Sequence, residues 1–276
     1  AGYSWLACSG NMAGRTCTGI PASPFAALQS NVTLLSSAYA SNTVLAASTS
    51  YILASQVIVS ATLTIPAGTT ILALPVPTGG AAAALVVVKG GKLVATGSAT
   101  MPITFTSVLA ESALVSTATA STDSNENAIT LGERGKWGGL ILLGNAPTNV
   151  PTTTQIEGIT GYTYGGSNPT ESSGSLQYVR VWHGGAIVGA NNEINGITFG
   201  GVGSGTVVDH CEVAYNADDG FEFFGGTVNV KYLSVLFAGD DAFDTDDGYV
   251  GKGQFLFALL GAVGNHGAEM DSRYGS

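Results

Sequence analysis

The sequence predicts an all-β protein: a right-handed parallel β-helix, a solenoid of stacked coils, with an N-terminal cap or arm. Three observations carry this. Helical periodicity is nearly absent, while short runs of β-formers recur, each closed by Gly, Asn or Asp. A segment reading polar, small, apolar, polar, apolar returns every 22–25 residues. The strand ahead of that segment returns with it.

Residues 1–50 are Ala/Ser/Thr-rich, with Pro21 and Pro24, and read as the cap or arm. A solenoid end exposes unpaired strand edges and has to be covered. In its Gly/Ser/Asn-rich opening, the spacing of Cys8 and Cys17 could close a small loop by disulfide, two free thiols being the alternative. Asn31-Val32-Thr33 is a glycosylation sequon.

Residues 51–276 are expected to form the β-helix. Strands are read at 56–60, 63–65, 85–89, 103–106, 140–143, 178–182, 197–199, 207–213, 232–237 and 255–257. The repeat is clearest late in the chain. Asn216-Ala217-Asp218-Asp219-Gly220-Phe221-Glu222-Phe223 matches Ala238 to Thr245, then Gly264 to Met270, and upstream Asn192 to Phe199. One coil of a parallel β-helix needs such a period, with several strands and turns in each repeat. Ahead of these segments, Val179-Arg180-Val181 matches Cys211-Glu212-Val213 and Leu233-Ser234-Val235. Alternation then puts Val179, Val181, Cys211, Val213, Leu233 and Val235 inside. Arg180, Glu212 and Ser234 fall outside, with Tyr178, His210 and Tyr232 as a neighbouring ladder. Arg180 and Glu212 are expected as an exposed pair worth at most ~1 kcal/mol. Roughly nine coils fit between Tyr51 and Asp271, a rod about 40 Å long.

Composition excludes several classes. With 276 residues, 45% apolar and 10% charged, the chain can bury a large core and is not a disordered one. Nine basic against 19 acidic residues, net −10, argue against nucleic acid, which needs a basic stripe. The longest apolar run, Ala81 to Val88, falls far short of the roughly 18–20 residues of a membrane span. The start at Ala1, the Ser/Thr-rich stretch Ser112 to Ser124 and the sequon together favour secretion to an extracellular or cell-surface location.

Three stretches carry a resemblance. They are Leu63-Thr64-Ile65-Pro66-Ala67-Gly68-Thr69, then Val88-Lys89-Gly90-Gly91-Lys92-Leu93-Val94-Ala95-Thr96-Gly97, then Pro102-Ile103-Thr104-Phe105-Thr106-Ser107. Together they resemble the opening coils of secreted parallel β-helix proteins of the pectate-lyase-like superfamily. Lys136 to Gly144 and Gly251-Lys252-Gly253-Gln254-Phe255 look like a group of bacterial-type surface and exported β-helix proteins without an established activity. A shared fold carries no activity of its own. The sequence stops at Ser276, soon after the last aligned coil: either the protein is longer, or that end stacks on another copy, a head-to-tail self-association as in a filament.

Charge is concentrated. Ten of the 19 acids lie between Asp209 and Asp247, against one lysine, Lys231. Coils about 4.8 Å apart would crowd these carboxylates along one face. Three readings stay open. One is a solvated acidic flank. The second is Ca²⁺, held by hard oxygen donors from Asp218, Asp219, Glu222, Asp240, Asp241, Asp244, Asp246 and Asp247. The third rests on a resemblance: Asn216 to Phe221, then Gly239-Asp240-Asp241, then Asn265-His266-Gly267 are similar in order and spacing to the motifs of polygalacturonase-type glycosidases. That resemblance implies Asp219, Asp240 and Asp241 as the acid and the water-activating base, with His266 supporting them. Ala217 and Asn265 depart from the family's pattern, and the Arg-x-Lys that binds a uronate is missing. The reading that combines these signs is an extracellular structural or adhesive β-helix, stacking into filaments, with Ca²⁺ on its acidic face. A carbohydrate-active enzyme, glycoside hydrolase or polysaccharide lyase, is the alternative, with a polysaccharide as partner.

Overall fold

The computed structural model of the chain describes residues 8–9, 16–17, 32–76, 80–108, 134–189 and 192–271, with 8–9, 16–17, 187–189 and 192 described by backbone alone. Strands β1 (Cys8–Ser9) and β2 (Thr16–Cys17) form an antiparallel ribbon with Cys8 directly opposite Cys17. β3 (Val32–Leu34) opens the solenoid. The layers follow in chain order: β4 (Ala38–Tyr39), β5 (Thr43–Val44) and β6 (Ser50–Leu53), then β7 (Gln56–Val59), β8 (Thr62–Ile65) and β9 (Thr70–Ala73). Next come β10 (Ala84–Val87), β11 (Lys92–Thr96) and β12 (Ile103–Ser107), then β13 (Leu140–Leu143), β14 (Gly174–Gln177) and β15 (Val179–Trp182). A small antiparallel hairpin, β16 (Ile187–Gly189) and β17 (Asn192–Glu193), leads to β18 (Ile197–Gly200), β19 (Val207–Asp209) and β20 (Glu212–Ala214). The last layers are β21 (Phe221–Phe224) with β22 (Asn229–Leu236), β23 (Phe243–Asp246) with β24 (Gly253–Leu259), and β25 (Glu269–Met270).

Every pairing between layers is parallel, and no helix occurs among the described residues. Three sheets run the length of the rod. Sheet 1 stacks β4, β7, β10, β13, β18, β21, β23 and β25. Sheet 2 stacks β5, β8, β11, β14 and β19 onto the first half of β22, and sheet 3 stacks β3, β6, β9, β12, β15 and β20 onto its second half. This is a parallel β-helix. Parallel pairing begins at Val32, so residues 32–50 of the segment read as a cap already lie on the coils. The described residues hold seven layers and the start of an eighth, fewer than the nine expected. Chain is spent between strands: 32 residues separate Ser107 from Leu140, and 30 separate Leu143 from Gly174.

Alternation sets the core. In β6, β7 and β8 every second residue is buried, and the sheets' inner columns meet in one continuous cluster from Leu35 to Phe243. Stacking keeps like on like: Phe199 lies over Phe223 at 5.1 Å and Phe221 over Phe243 at 5.7 Å. Each fully buried large side chain contributes about 1.5–3 kcal/mol. Val179, Val181, Cys211, Val213, Leu233 and Val235 all point inward, as their spacing predicts. Burial pushes the Cys211 thiol up to about 12, so it behaves as a small apolar residue.

Two outside features differ from expectation. The run 207–213 is not one strand; it breaks at His210, which takes a left-handed φ of 53°. Tyr178, Tyr232 and Phe255 bend the same corner in neighbouring layers, at φ 53°, 54° and 60°. Tyr178 stacks on His210 at 4.5 Å and His210 on Tyr232 at 4.4 Å, the expected ladder, which Phe255 extends by stacking on Tyr232 at 4.8 Å. His183, Tyr215 and Phe237 form a second left-handed, stacked corner at the far end of sheet 3. The expected exposed Arg180–Glu212 pair is the other departure. Arg180, Glu212 and Ser234 do stand opposite one another on the outer face. They are nonetheless buried, at 7%, 1% and 0% exposure. Trp182 and Ala214 pack beside them with Tyr215 and Leu236, and the Trp182 indole N–H donates to Glu212 Oε1 at 2.9 Å. Burial lowers the Arg180 pKa, which Glu212 opposes.

Candidate functional site

The acidic site starts from a glycine. A Cβ on Gly220 would stand 2.6 Å from both the Ala242 carbonyl oxygen and Val235 Cγ2, and one on Gly196 would stand 2.4 Å from Val213 Cγ1. The chain here enters sheet 1 hard against the inner wall of sheet 3, where only small residues fit. That fixes the residue before each bend in one column: Asn195, Asp219, Asp241 and His266. Backbone bonds tie the layers, Gly196 N–H to Asp219 O at 3.0 Å, Gly220 N–H to Asp241 O at 2.9 Å and Ala242 N–H to His266 O at 3.0 Å. Side chains repeat the pattern. Asp241 N–H donates to Asp219 Oδ1 at 2.8 Å, and His266 N–H donates to Asp241 Oδ1 at 2.6 Å. His266 Nδ1 also lies 3.0 Å from that oxygen.

Three residues further on, the outward column of sheet 1 reads Thr198, Glu222, Asp244, Glu269. Earlier layers of the same face are apolar. There Ala84, Val86, Ile141 and Leu143 pack under Ile156, Ile159 and Tyr164 of segment 144–173. The acidic flank begins where that cover ends, and Glu157 of the segment stands at the boundary. Asn195 Nδ2 donates to Glu157 Oε1 at 3.1 Å and to Glu222 Oε2. Glu222 in turn shares hydrogen bonds with Glu157 and Asp244.

The donor atoms gather in three sets, each within 4.8 Å: Asp218, Asp219 and Asp240; Asp219, Glu222 and Asp244, which shares Asp219 with the first; and Asp241, His266 and Glu269. Burial first, and crowding second, raise several of these carboxyls. Burial, then Glu157 and Glu193, pushes Asp218 up to about 7. Burial, then Asp218, pushes Asp219 up to about 9. Burial foremost also raises Glu157, Glu222 and Asp244, Glu222 most of all, with the neighbouring carboxylates adding to it. Such an arrangement can bind a hard cation through several oxygens, or hold a proton at neutral pH.

Asp218, Asp219, Glu222, Asp240, Asp241, Asp244 and His266 therefore come together in neighbouring layers. Asp246 and Asp247 stand outside the three sets. Asp247, at φ 52°, accepts the Tyr164 hydroxyl through Oδ2, and its backbone oxygen accepts Asn149 N–H at 2.9 Å. Asp246 Oδ1 accepts the N–H of Asp247 at 2.8 Å. Glu157 belongs to the site although the repeat does not contain it, since it lies in an inserted segment; Glu193, which the repeat aligns with Ala217, acts on Asp218 from the β16–β17 hairpin. Asn195 was legible, since it aligns with Asp219. The side chains of Cys8 and Cys17, and the sequon residue Asn31, lie outside the described residues. Among those residues no helix is long and apolar enough to cross a membrane.

The family described as pectate-lyase like beta helix domain matches residues 37–275. No curated protein and no solved structure matches the chain.

Proposed function

The chain belongs to the pectate-lyase like beta helix domain family, and on that premise we propose that it is an extracellular structural or adhesive rod that binds Ca²⁺ along its acidic flank and stacks head to tail. One observation carries the metal: two carboxylate sets share Asp219, and a third, of Asp241, His266 and Glu269, follows beside them. Ca²⁺ takes six to eight oxygen ligands in flexible geometry, which suits carboxylates spaced by the strand repeat. Cation binding would balance Asp218, Asp219, Glu222 and Asp244, which burial first and their neighbours second now raise.

Stacking has its own support. β24 reads Gly-Gln-Phe-Leu-Phe-Ala-Leu, carries no charge, and leaves Phe255 50% and Leu256 39% exposed. Among the described residues it pairs on one side only. The opposite end exposes Val32, Leu34 and Val44. Bare apolar edges of this kind invite pairing with another chain. Negative-stain imaging and thermal melts of the secreted protein test the proposal. Regular fibres, and a melting temperature that rises with Ca²⁺ by an amount matching about 2.7 kcal/mol at a hundredfold excess over Kd, are expected. Monomers indifferent to Ca²⁺ and chelator would refute it.

A second reading is favoured by the continuous Asp219–Asp241–His266 column. Asp218, pushed up to about 7, could hold a proton for a leaving group. A net charge of −10 opposes an acidic polysaccharide. Release of reducing sugar from polygalacturonate or neutral glycans, abolished by Asp241→Asn, would establish the enzyme.

A further inference from the structure

We propose that Glu157, Asn195 Oδ1, Glu222 and Asp244 form a divalent-cation site that fastens segment 144–173 to the flank of the rod, a deeper form of the metal reading above and dependent on it. The observation that points to a ligand is Asn195. It is fully buried, yet its Oδ1 has no hydrogen-bond partner, and neither has the equally inaccessible Oδ1 of Asp244. Elsewhere in its column the side chain accepts the N–H of the next layer, as Asp219 and Asp241 do. Asn195 instead turns its amide N–H₂ toward Glu157 and Glu222, which leaves its carbonyl oxygen bare on a side chain bonded to two carboxylates. None of Glu157, Glu222 and Asp244 has a lysine or arginine ion pair among the described residues.

A hard divalent cation answers both deficits at once. It accepts lone pairs from the orphaned oxygens and balances the carboxylates, which tolerate its coordination number. Glu157 differs from the other donors in coming from outside the repeat. Ile156 and Ile159 pack its part of the segment onto sheet 1 by apolar contact, while Asn149 and Tyr164 bond to Asp247 elsewhere along it. The cation would add a polar fastening at the margin of that contact, joining the inserted segment to two layers of sheet 1.

Calcium titration calorimetry and limited proteolysis of the full chain, in Ca²⁺ or chelator, test this with Glu157→Gln and Asp244→Asn. The wild-type protein is expected to bind Ca²⁺ and to gain protection from cleavage within 144–173 when it does. Each variant should weaken the affinity at least tenfold and lose the protection. Two variants, each only removing charge, guard against one that does not fold, and circular dichroism checks both. Calcium binding that neither variant weakens, or protection unaffected by chelator, overturns the fastening while the flank remains a metal site. No calcium binding by the wild-type protein overturns both.

Discussion

Asp219 is the residue on which the site turns, because it belongs to two of the three donor sets and carries a carboxyl pushed up to about 9. Raised above the ordinary 3.8, it favours folding fully at low pH, and that contribution is lost as pH climbs towards 9; the loss from Asp218 starts at the same point and is complete earlier, near 7. Metal-free protein should therefore melt progressively lower from about pH 4 to about pH 8. Asp219→Asn keeps an oxygen for the Asp241 N–H and removes the charge. In chelator at pH 8 it is expected to raise the melting temperature by ~2–4 °C for each kcal/mol of charge burial relieved, with little change at pH 4. In Ca²⁺ the same substitution should lower it. Differential scanning calorimetry at the two pH values reads all of these. The crowding itself was legible, since the repeat aligns Asp219 with Asp241 and His266. The third partner was not: Glu157 is 65 positions from Glu222, on a segment with no periodic relation to it, and only folding joins them.

Among the elements, the corner ladders matter because each position does two jobs. Tyr178, His210, Tyr232 and Phe255 accept a left-handed backbone that costs a non-glycine residue of order 1–3 kcal/mol. Their ring stacking, about 0.5–1.5 kcal/mol per pair, offsets it. The two terms separate by substitution. His210→Asn tolerates the backbone and loses two stacks, so urea denaturation should give a loss of about 1–3 kcal/mol. His210→Val loses the stacks and adds β-branched strain, and should cost ~1–3 kcal/mol more. Equal losses from the two would mean the bend carries no strain. The ladder's existence was readable from aromatic residues returning at the repeat; the bend was not. Alternation alone makes 207–213 one strand, and nothing local marks His210 as a corner. The burial of Arg180 and Glu212 escaped for a related reason: alternation says which face a side chain is on, not whether that face is covered.

For the molecule as a whole, the period set the architecture and the insertions set its height. Strand runs and repeats gave the coils in register, while the long stretches after Ser107 and Leu143 absorbed residues that a uniform period would assign to further layers. The edge of β24, paired on one side only among the described residues, makes the largest-scale prediction. Leu256→Lys and Gln254→Lys place charge on an edge that carries none, and should leave the melting temperature within about 1 °C while abolishing any self-assembly seen by sedimentation or imaging. Fibres unaffected by both changes would move the contact elsewhere. The registered spacing has one more consequence. Because Phe221 sits over Phe243 with Gly220 and Ala242 at matching bends, the protein is in effect a stack of interchangeable storeys. Gain or loss of one whole storey, at the exposed end or within it, would lengthen or shorten the tower by a single strand spacing and leave every joint above and below unchanged.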